Sequence, residues 1–179
     1  MKINSKVYYG VDWGIVDPWG IIEAKYYDGA LYLRELNYAS ENELKNKLRP
    51  DELNQIAQSD EGIVGFMFRK LAIPKNAYII CDDNRPGKIV ALRQSGWDYS
   101  LQAIKGPGSV IEGIGLLEKL TIYYTYTSKN IKYEQENYSR QIDRYGVVLE
   151  EPEDTNNHTI DPTRYIAQFL RANGIIKLI

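Results

Sequence analysis

Apolar and polar positions alternate as soon as the polar leader ends. In Val7-Tyr-Tyr-Gly-Val-Asp12, Val7, Tyr9 and Val11 fall on one face and Tyr8, Gly10 and Asp12 on the other, the period of a β-strand. Two further runs, Trp19–Tyr27 and Leu31–Leu36, are joined through Asp28-Gly29, a strong two-residue hairpin signal. The chain is therefore expected to open with three antiparallel strands. From Ser40 the period changes. Ser40-Glu-Asn-Glu43 reads as a capping box, Leu44 and Leu48 share a helical stripe, and Pro50 restarts helical text with Leu53 and Ile56. Between Asp60 and Leu71, Ile63, Phe66, Met67 and Leu71 recur at helical spacing, which reads as core and not as a cofactor box.

Ala77–Cys81 is a short continuous apolar run, the mark of a strand buried on both faces, and it ends in Asp82-Asp83. Pro86 to Gln94 reads as a helix stopped by Gly96. Next come a strand over Tyr99–Ile104, a helix over Ser109–Leu120, a strand over Ile122–Tyr126, a helix over Asn130–Gln141 and a short strand over Gly146–Leu149. Glu150-Glu151-Pro152-Glu153-Asp154 reads as a solvated acidic loop. The last helix is expected from Asp161 to Ala172, with Ile166, Phe169 and Leu170 inward and Asn173-Gly174 as its stop. Three antiparallel strands followed by alternating strands and helices predict an α/β fold in one domain over 1–179, a mixed sheet with helices on both faces.

Composition narrows the class without naming a function. The chain has 179 residues, enough to bury a core without staples. Hydrophobic residues make up 44% and the formal net charge is -2, so nucleic-acid binding has to be argued from local charge. Cys81 is the single cysteine, which rules out an internal disulfide and any multi-cysteine zinc site. No apolar run reaches membrane-spanning length, and the leader Met-Lys-Ile-Asn-Ser-Lys lacks the apolar core of a signal peptide. The expectation is a cytoplasmic protein or a piece of one. Between Arg69 and Lys105 seven basic residues stand against three acidic ones, a local charge of +4. That basic segment reads either as ordinary solvated helix faces or as a face for a phosphodiester backbone.

Candidate chemistry gathers on acids. Asp12 and Asp82 each end an otherwise apolar strand, and ligand sites in open α/β sheets collect at strand ends. Taken singly, each also reads as a turn cap. Near the C-terminus, Asn157-His158-Thr-Ile-Asp161-Pro162 holds the only histidine, with Asp161 three residues on. There Asp161 reads either as the N-cap of a helix whose first residue is Pro162 or as a third carboxylate. Three converging carboxylates would repel without a cation, and an oxygen-rich, open set of that kind suits Mg²⁺ or Mn²⁺. Other chemistries lack their motifs. Gly106-Pro-Gly108 has no third glycine at dinucleotide spacing, and no Walker A loop or Gly-x-Ser-x-Gly elbow occurs.

Several segments resemble the C-terminal nuclease domain of the large terminase subunit of tailed bacteriophages. They are Gly10-Val-Asp12-Trp-Gly14 with Asp17-Pro18, Cys81-Asp82-Asp83-Asn-Arg-Pro86, Lys105-Gly106-x-Gly108-Ser109, Asn130 to Glu134 with Tyr138, and Asn157-His158-x-x-Asp161-x-x-Arg164-Tyr165. The resemblance implies a ribonuclease H-like fold and a metal-dependent endonuclease that cuts concatemeric double-stranded DNA during viral genome packaging. It places the catalytic aspartates at Asp12, Asp82 and Asp161, with His158 near the metals. Two-metal logic would have Asp12 bridge two divalent cations, Mg²⁺ or Mn²⁺, with Asp82 and Asp161 completing one shell each. His158 would orient a water or shuttle a proton, and Lys105, Arg85 and Lys88 would hold the DNA backbone. Two positions depart from the family pattern. Asp82-Asp83-Asn84-Arg85-Pro86 stands where Asp-Ser-Ala-Glu-Pro is common, which makes Asp83 an additional candidate ligand, and Pro162 follows the last aspartate. The family's N-terminal ATPase motor is absent, so an excised domain is expected, whose full protein would meet a portal and a small terminase subunit. The competing readings are another ribonuclease H-like nuclease, such as a junction resolvase, and a non-catalytic docking module of the packaging machine.

Overall fold

The computed structural model describes residues 6–153 and 155–177. In chain order the elements are β1 Val7–Asp12, β2 Trp19–Tyr27, β3 Ala30–Ala39, α1 Glu41–Lys47, α2 Pro50–Ala57, α3 Gly62–Lys70, β4 Tyr78–Cys81, α4 Pro86–Gln94, β5 Ser100–Gln102, α5 Ser109–Leu117, β6 Thr121–Tyr124, α6 Lys129–Asn137, β7 Arg140–Ile142, β8 Val148–Pro152 and α7 Ile160–Ala172. Six strands form one sheet in the order β5-β4-β1-β2-β3-β6. The β1–β2 and β2–β3 pairs are antiparallel, and β4 on β1, β5 on β4 and β6 on β3 are parallel. The predicted hairpin is present, with Asp28 and Gly29 at φ 49° and 76°, the left-handed conformations that a tight two-residue turn requires. The capping box at Ser40 and Glu43 also forms.

Each face of the sheet carries its own core, as strand alternation demands. On one face Tyr9, Val11, Ile79 and Cys81 pack with Trp19, Phe68 and Trp97. On the other, Tyr8, Ile22, Leu31 and Ile80 meet Ile131 of α6 and Tyr165, Ile166 and Leu170 of α7. Ile166 and Leu170 are fully buried, each adding roughly 1.5–3 kcal/mol relative to exposure. Asp12 and Asp82 follow strand residues in the same alternation and so turn toward α7. The Asp82 N–H donates to the Val11 carbonyl at 2.8 Å, extending the parallel ladder to the point where both acids leave the sheet.

Two glycines let α7 come down on that sheet. A Cβ on Gly10 of β1 would collide with the Pro162 carbonyl, and one on Gly20 of β2 with the His158 carbonyl. Gly20 lies directly opposite Asp12 in the β1–β2 register. The close approach of backbone to backbone therefore happens beside the carboxylate, and only residues without a side chain permit it.

The structure shifts several predicted boundaries. The helix expected to reach Gln141 stops at Asn137, and a small two-stranded sheet of β7 and β8 follows. Its turn is built by the Asp143 carboxylate, which accepts from the Tyr145 and Val147 N–H groups at 2.8 Å each, a side-chain turn stronger than the helical pattern before it. The acidic run is correspondingly strand through Pro152 and not loop, while Asp154 lies outside the described residues. The helix expected to end at Leu120 ends at Leu117. The last helix begins at Ile160 with Thr159 at its cap, so Asp161 sits inside the first turn and does not cap it.

Replacing Gly20 by Ala should cost about 3 kcal/mol, because a core that cannot move aside strains when overpacked. Gly115 of α5 faces open space, so Ala there should be neutral or stabilising by up to about 1 kcal/mol through helix propensity. Chemical denaturation of the two variants measures the difference; equal responses would mean that α7 does not bear on β2.

Candidate active site

A cleft of about 480 Å³ opens where β1, β4 and α7 meet, and Asp12, Asp82, Asp161, His158, Lys105 and Tyr165 line it. The three acids expected to converge are brought together there from three different elements. Asp82 is 2% exposed. Its position is doubly fixed, because its own carbonyl accepts from the Trp13 indole N–H at 3.0 Å and its Oδ2 accepts from the Asn84 N–H at 3.3 Å.

Asp12, Asp82 and Asp161 each have a side-chain partner. Asp12 Oδ2 lies 3.0 Å from His158 Nδ1. The Lys105 ammonium bridges Asp82 and Asp83, meeting Asp83 Oδ1 at 2.8 Å. Arg164 grips Asp161 Oδ1 with two N–H groups at 3.1 and 3.0 Å. The Tyr165 hydroxyl stands between two acids, 3.3 Å from Asp161 Oδ2 and 3.4 Å from Asp82 Oδ1. Tyr165 and Arg164 had no assigned role in the sequence reading. Their spacing of four and three residues from Asp161 is the signal, since a helix stacks those positions on one face.

Burial and like charge leave marks on these groups. Asp12 is held above the usual carboxylate range, first by burial and then by the negative charges of Asp161 and Asp82, against the hydrogen bond from His158. His158 is raised in turn, chiefly by its hydrogen bond to Asp12. Burial pulls Lys105 down, but the ion pairs with Asp82 and Asp83 outweigh it and leave the ammonium above its ordinary value. Burial raises Tyr165, reinforced by Asp161, Asp82 and Asp12, so its phenol stays a neutral donor.

The other candidates separate. Asp83 sits at the cleft rim, partly exposed. Lys88 leaves the cleft: it pairs with Glu41 at 2.6 Å and lies over the Trp13 and Trp19 rings. Arg85 is exposed at the cap of α4. One residue without a predicted role stands out behind the site. Glu134 of α6 is fully buried and accepts hydrogen bonds from the backbone of His158, Thr159 and Ile160. Glu134 ends one of the segments that carry the resemblance, but nothing local gives it this role, because these partners lie more than twenty residues along the chain.

Among the described residues, no three His, Cys, Asp or Glu side chains gather closely enough to hold one metal ion as they stand. The donor chemistry nevertheless fits a hard cation. Four carboxylates (Asp12, Asp82, Asp83 and Asp161) face two permanently charged side chains, Lys105 and Arg164. That leaves oxygen donors in excess of positive charge.

No family model matches the chain. The large terminase subunit of Bacillus phage SPP1 is 38% identical over 94 residues, covering 51% of this chain and 22% of that protein. The aligned stretch thus spans about a fifth of the length of that curated relative. The Mn-bound nuclease domain of the SPP1 large terminase superposes with a TM-score of 0.71 at 29% identity, covering 92% of this chain and 86% of that one. The large terminase of a thermophilic bacteriophage gives 0.66 at 22% identity, over 93% of this chain and 39% of that one, a likeness of fold. Sequence and fold together bear out the resemblance to the large-terminase nuclease domain and the ribonuclease H-like architecture. Among the described residues no helix is long and apolar enough to cross a membrane.

The Asp12–His158 pair predicts a pH dependence with chelator present. His158 has its folded pKa raised above 6.5, so its contribution to stability is complete below about pH 6.5 and is lost as pH rises through the raised value. Asp12, also raised, has the same sign in a lower window. Thermal melts in EDTA should show Tm falling from about pH 6.5 upward, and His158→Asn should flatten that fall. A slope unchanged by the substitution would place the titrating group elsewhere.

Proposed function

We propose that this chain is the metal-dependent endonuclease domain of a viral DNA-packaging terminase. It would hydrolyse phosphodiester bonds of concatemeric double-stranded DNA with two divalent cations, Mg²⁺ or Mn²⁺. The observation that carries this is the convergence of Asp12, Asp82 and Asp161 in one cleft, in a chain that aligns over most of its length with an SPP1 nuclease domain carrying Mn. On this reading the chain is one nuclease domain. Its full protein would carry an ATPase domain and would work in the host cytoplasm with a portal and a small terminase subunit.

Asp12, Asp82 and Asp161 would hold the cations, with Asp83 as a further donor at the rim. Bound there, divalent cations acidify a water and offset charge on the scissile phosphate and leaving oxygen. The chain's own residues supply the rest. Asp12 orients the His158 ring through Nδ1, leaving Nε2 to take or give a proton at the cleft. Tyr165, kept neutral, steadies Asp82 and Asp161 by donating to either. Lys105 reaches the cleft on a flexible stem, and its ammonium is suited to move from the carboxylates to a phosphate as DNA arrives. Arg85, exposed at the cap of α4, would contribute positive charge along the approach of the backbone, whereas Lys88 is held by Glu41.

Asp12→Asn should reduce Mn²⁺-dependent nicking of supercoiled plasmid below detection, with circular dichroism and Tm kept at or above those of the parent because one buried like charge is gone. Undiminished nicking would refute the assignment. Calorimetric titration of the parent with Mn²⁺ separates the nuclease from a docking module, which has no need of the ion.

A further inference from the structure

Glu134 supplies a connection that the proposed chemistry does not itself account for. It lies on α6, is 0% exposed and spends its carboxylate away from the three cleft aspartates. Its two oxygens are fully used. Oε1 accepts from the His158 N–H at 3.0 Å and the Tyr38 hydroxyl at 2.8 Å. Oε2 accepts from the Thr159 N–H at 2.6 Å, the Thr159 hydroxyl at 2.5 Å and the Ile160 N–H at 3.3 Å. These are N–H groups at the start of α7, which the helix cannot satisfy internally. The cap residue Thr159 makes no side-chain cap bond of its own. A carboxylate from another helix does the capping, with the sign that the helix dipole favours.

The same device recurs one step earlier. Glu35 of β3 accepts from the Asn130 and Ile131 N–H groups at 3.0 and 3.2 Å, at the start of α6, and from the Asn130 side-chain amide at 2.7 Å. Tyr38, on the same strand, closes the circuit onto Glu134. Burial first, then the bond to Glu134, raises the Tyr38 pKa and keeps its hydroxyl a donor. The sheet holds α6 through one carboxylate, and α6 holds the start of α7 through another.

We propose that Glu134 is a positioning residue for the active site: it fixes the His158–Asp161 segment, and through it the histidine and the third aspartate, against the ends of β1 and β4. The role rests on the nuclease reading for its purpose but not for its geometry. A carboxylate is needed because three N–H groups and two hydroxyls converge on it. A glutamine has only one acceptor oxygen, and its NH₂ would face donors on one side.

The test compares Glu134→Gln with Ile131→Val, a core truncation in the same helix that sets the baseline for plain destabilisation. Amide hydrogen exchange at His158, Thr159 and Ile160 should accelerate at least tenfold in Glu134→Gln relative to the rest of α7, and Mn²⁺ affinity, read by titration calorimetry, should fall about tenfold. Ile131→Val should change neither selectively. Uniformly faster exchange along α7 with parental Mn²⁺ affinity would reduce Glu134 to a core residue and overturn the proposal. If Glu134→Gln does not fold, Thr159→Val, which deletes one bond to the same carboxylate, replaces it; selective acceleration at residues 158–160 supports the role, and parental exchange there overturns it. If the parent takes up no Mn²⁺, the nuclease reading fails while the exchange comparison still decides whether Glu134 holds the segment.

Discussion

The start of α7 lies backbone against backbone on the first two strands, and the cleft exists because of that contact. A helix normally rides on a sheet at a distance set by side chains from both sides. Here Gly10 and Gly20 remove the sheet's share beneath Pro162 and His158, so the helix start drops to the level of the strand ends. Gly113 of α5 does the same beneath the Arg164 side chain. Only at this depth can residues on α7 share a cleft with Asp12 and Asp82. At Gly10 and Gly20 this packing is unforgiving, since the nearest obstructing atoms there are backbone and cannot rotate away.

Bringing acids so near one another creates an electrostatic problem that the fold answers with side chains. Like carboxylates at short range favour protonation, and burial adds to that at Asp12. Lys105 meets Asp82 and Asp83, Arg164 meets Asp161 alone, and His158 leans on Asp12. Tyr165 differs in kind. As a neutral donor between Asp82 and Asp161, it eases their repulsion without adding a charge that would have to be displaced.

Much of this was legible in the residue pattern, and the limit of legibility is physical. Strand ends at Asp12 and Asp82, the hairpin at Asp28-Gly29 and the helix from Pro86 to Gln94 depend on neighbours a few residues away, and they form as expected. Asp161 was placed near the site but read in part as a cap. The structure moves the cap to Thr159 because Glu134 satisfies the first N–H groups of α7 from outside. Nothing within four residues of Asp161 encodes that. Lys105 shows the same limit: its charge suggested a phosphate contact, whereas its contacts with Asp82 and Asp83 depend on how the segment after β5 passes the end of β4. Asp143 shows a milder failure, in which a side-chain turn interrupts text that is otherwise helical.

The partners of the acids are not equivalent, and the difference gives the site a direction. Arg164 is almost wholly buried, its side chain 2% exposed, and its planar guanidinium is braced by Gln168, which in turn holds the Ser109 carbonyl. Removing it from Asp161 would leave a buried cation uncompensated, a costly state. Lys105 is 31% exposed and carries its charge on a flexible four-carbon stem, so water or a phosphate can receive the ammonium at little expense. Asp82 and its neighbour Asp83 are therefore the acids most readily released to another cation, while Asp161 keeps one oxygen on Arg164 and offers only its other. Strand ends and backbone stay fixed through such an exchange. The adjustable part of the cleft is one lysine.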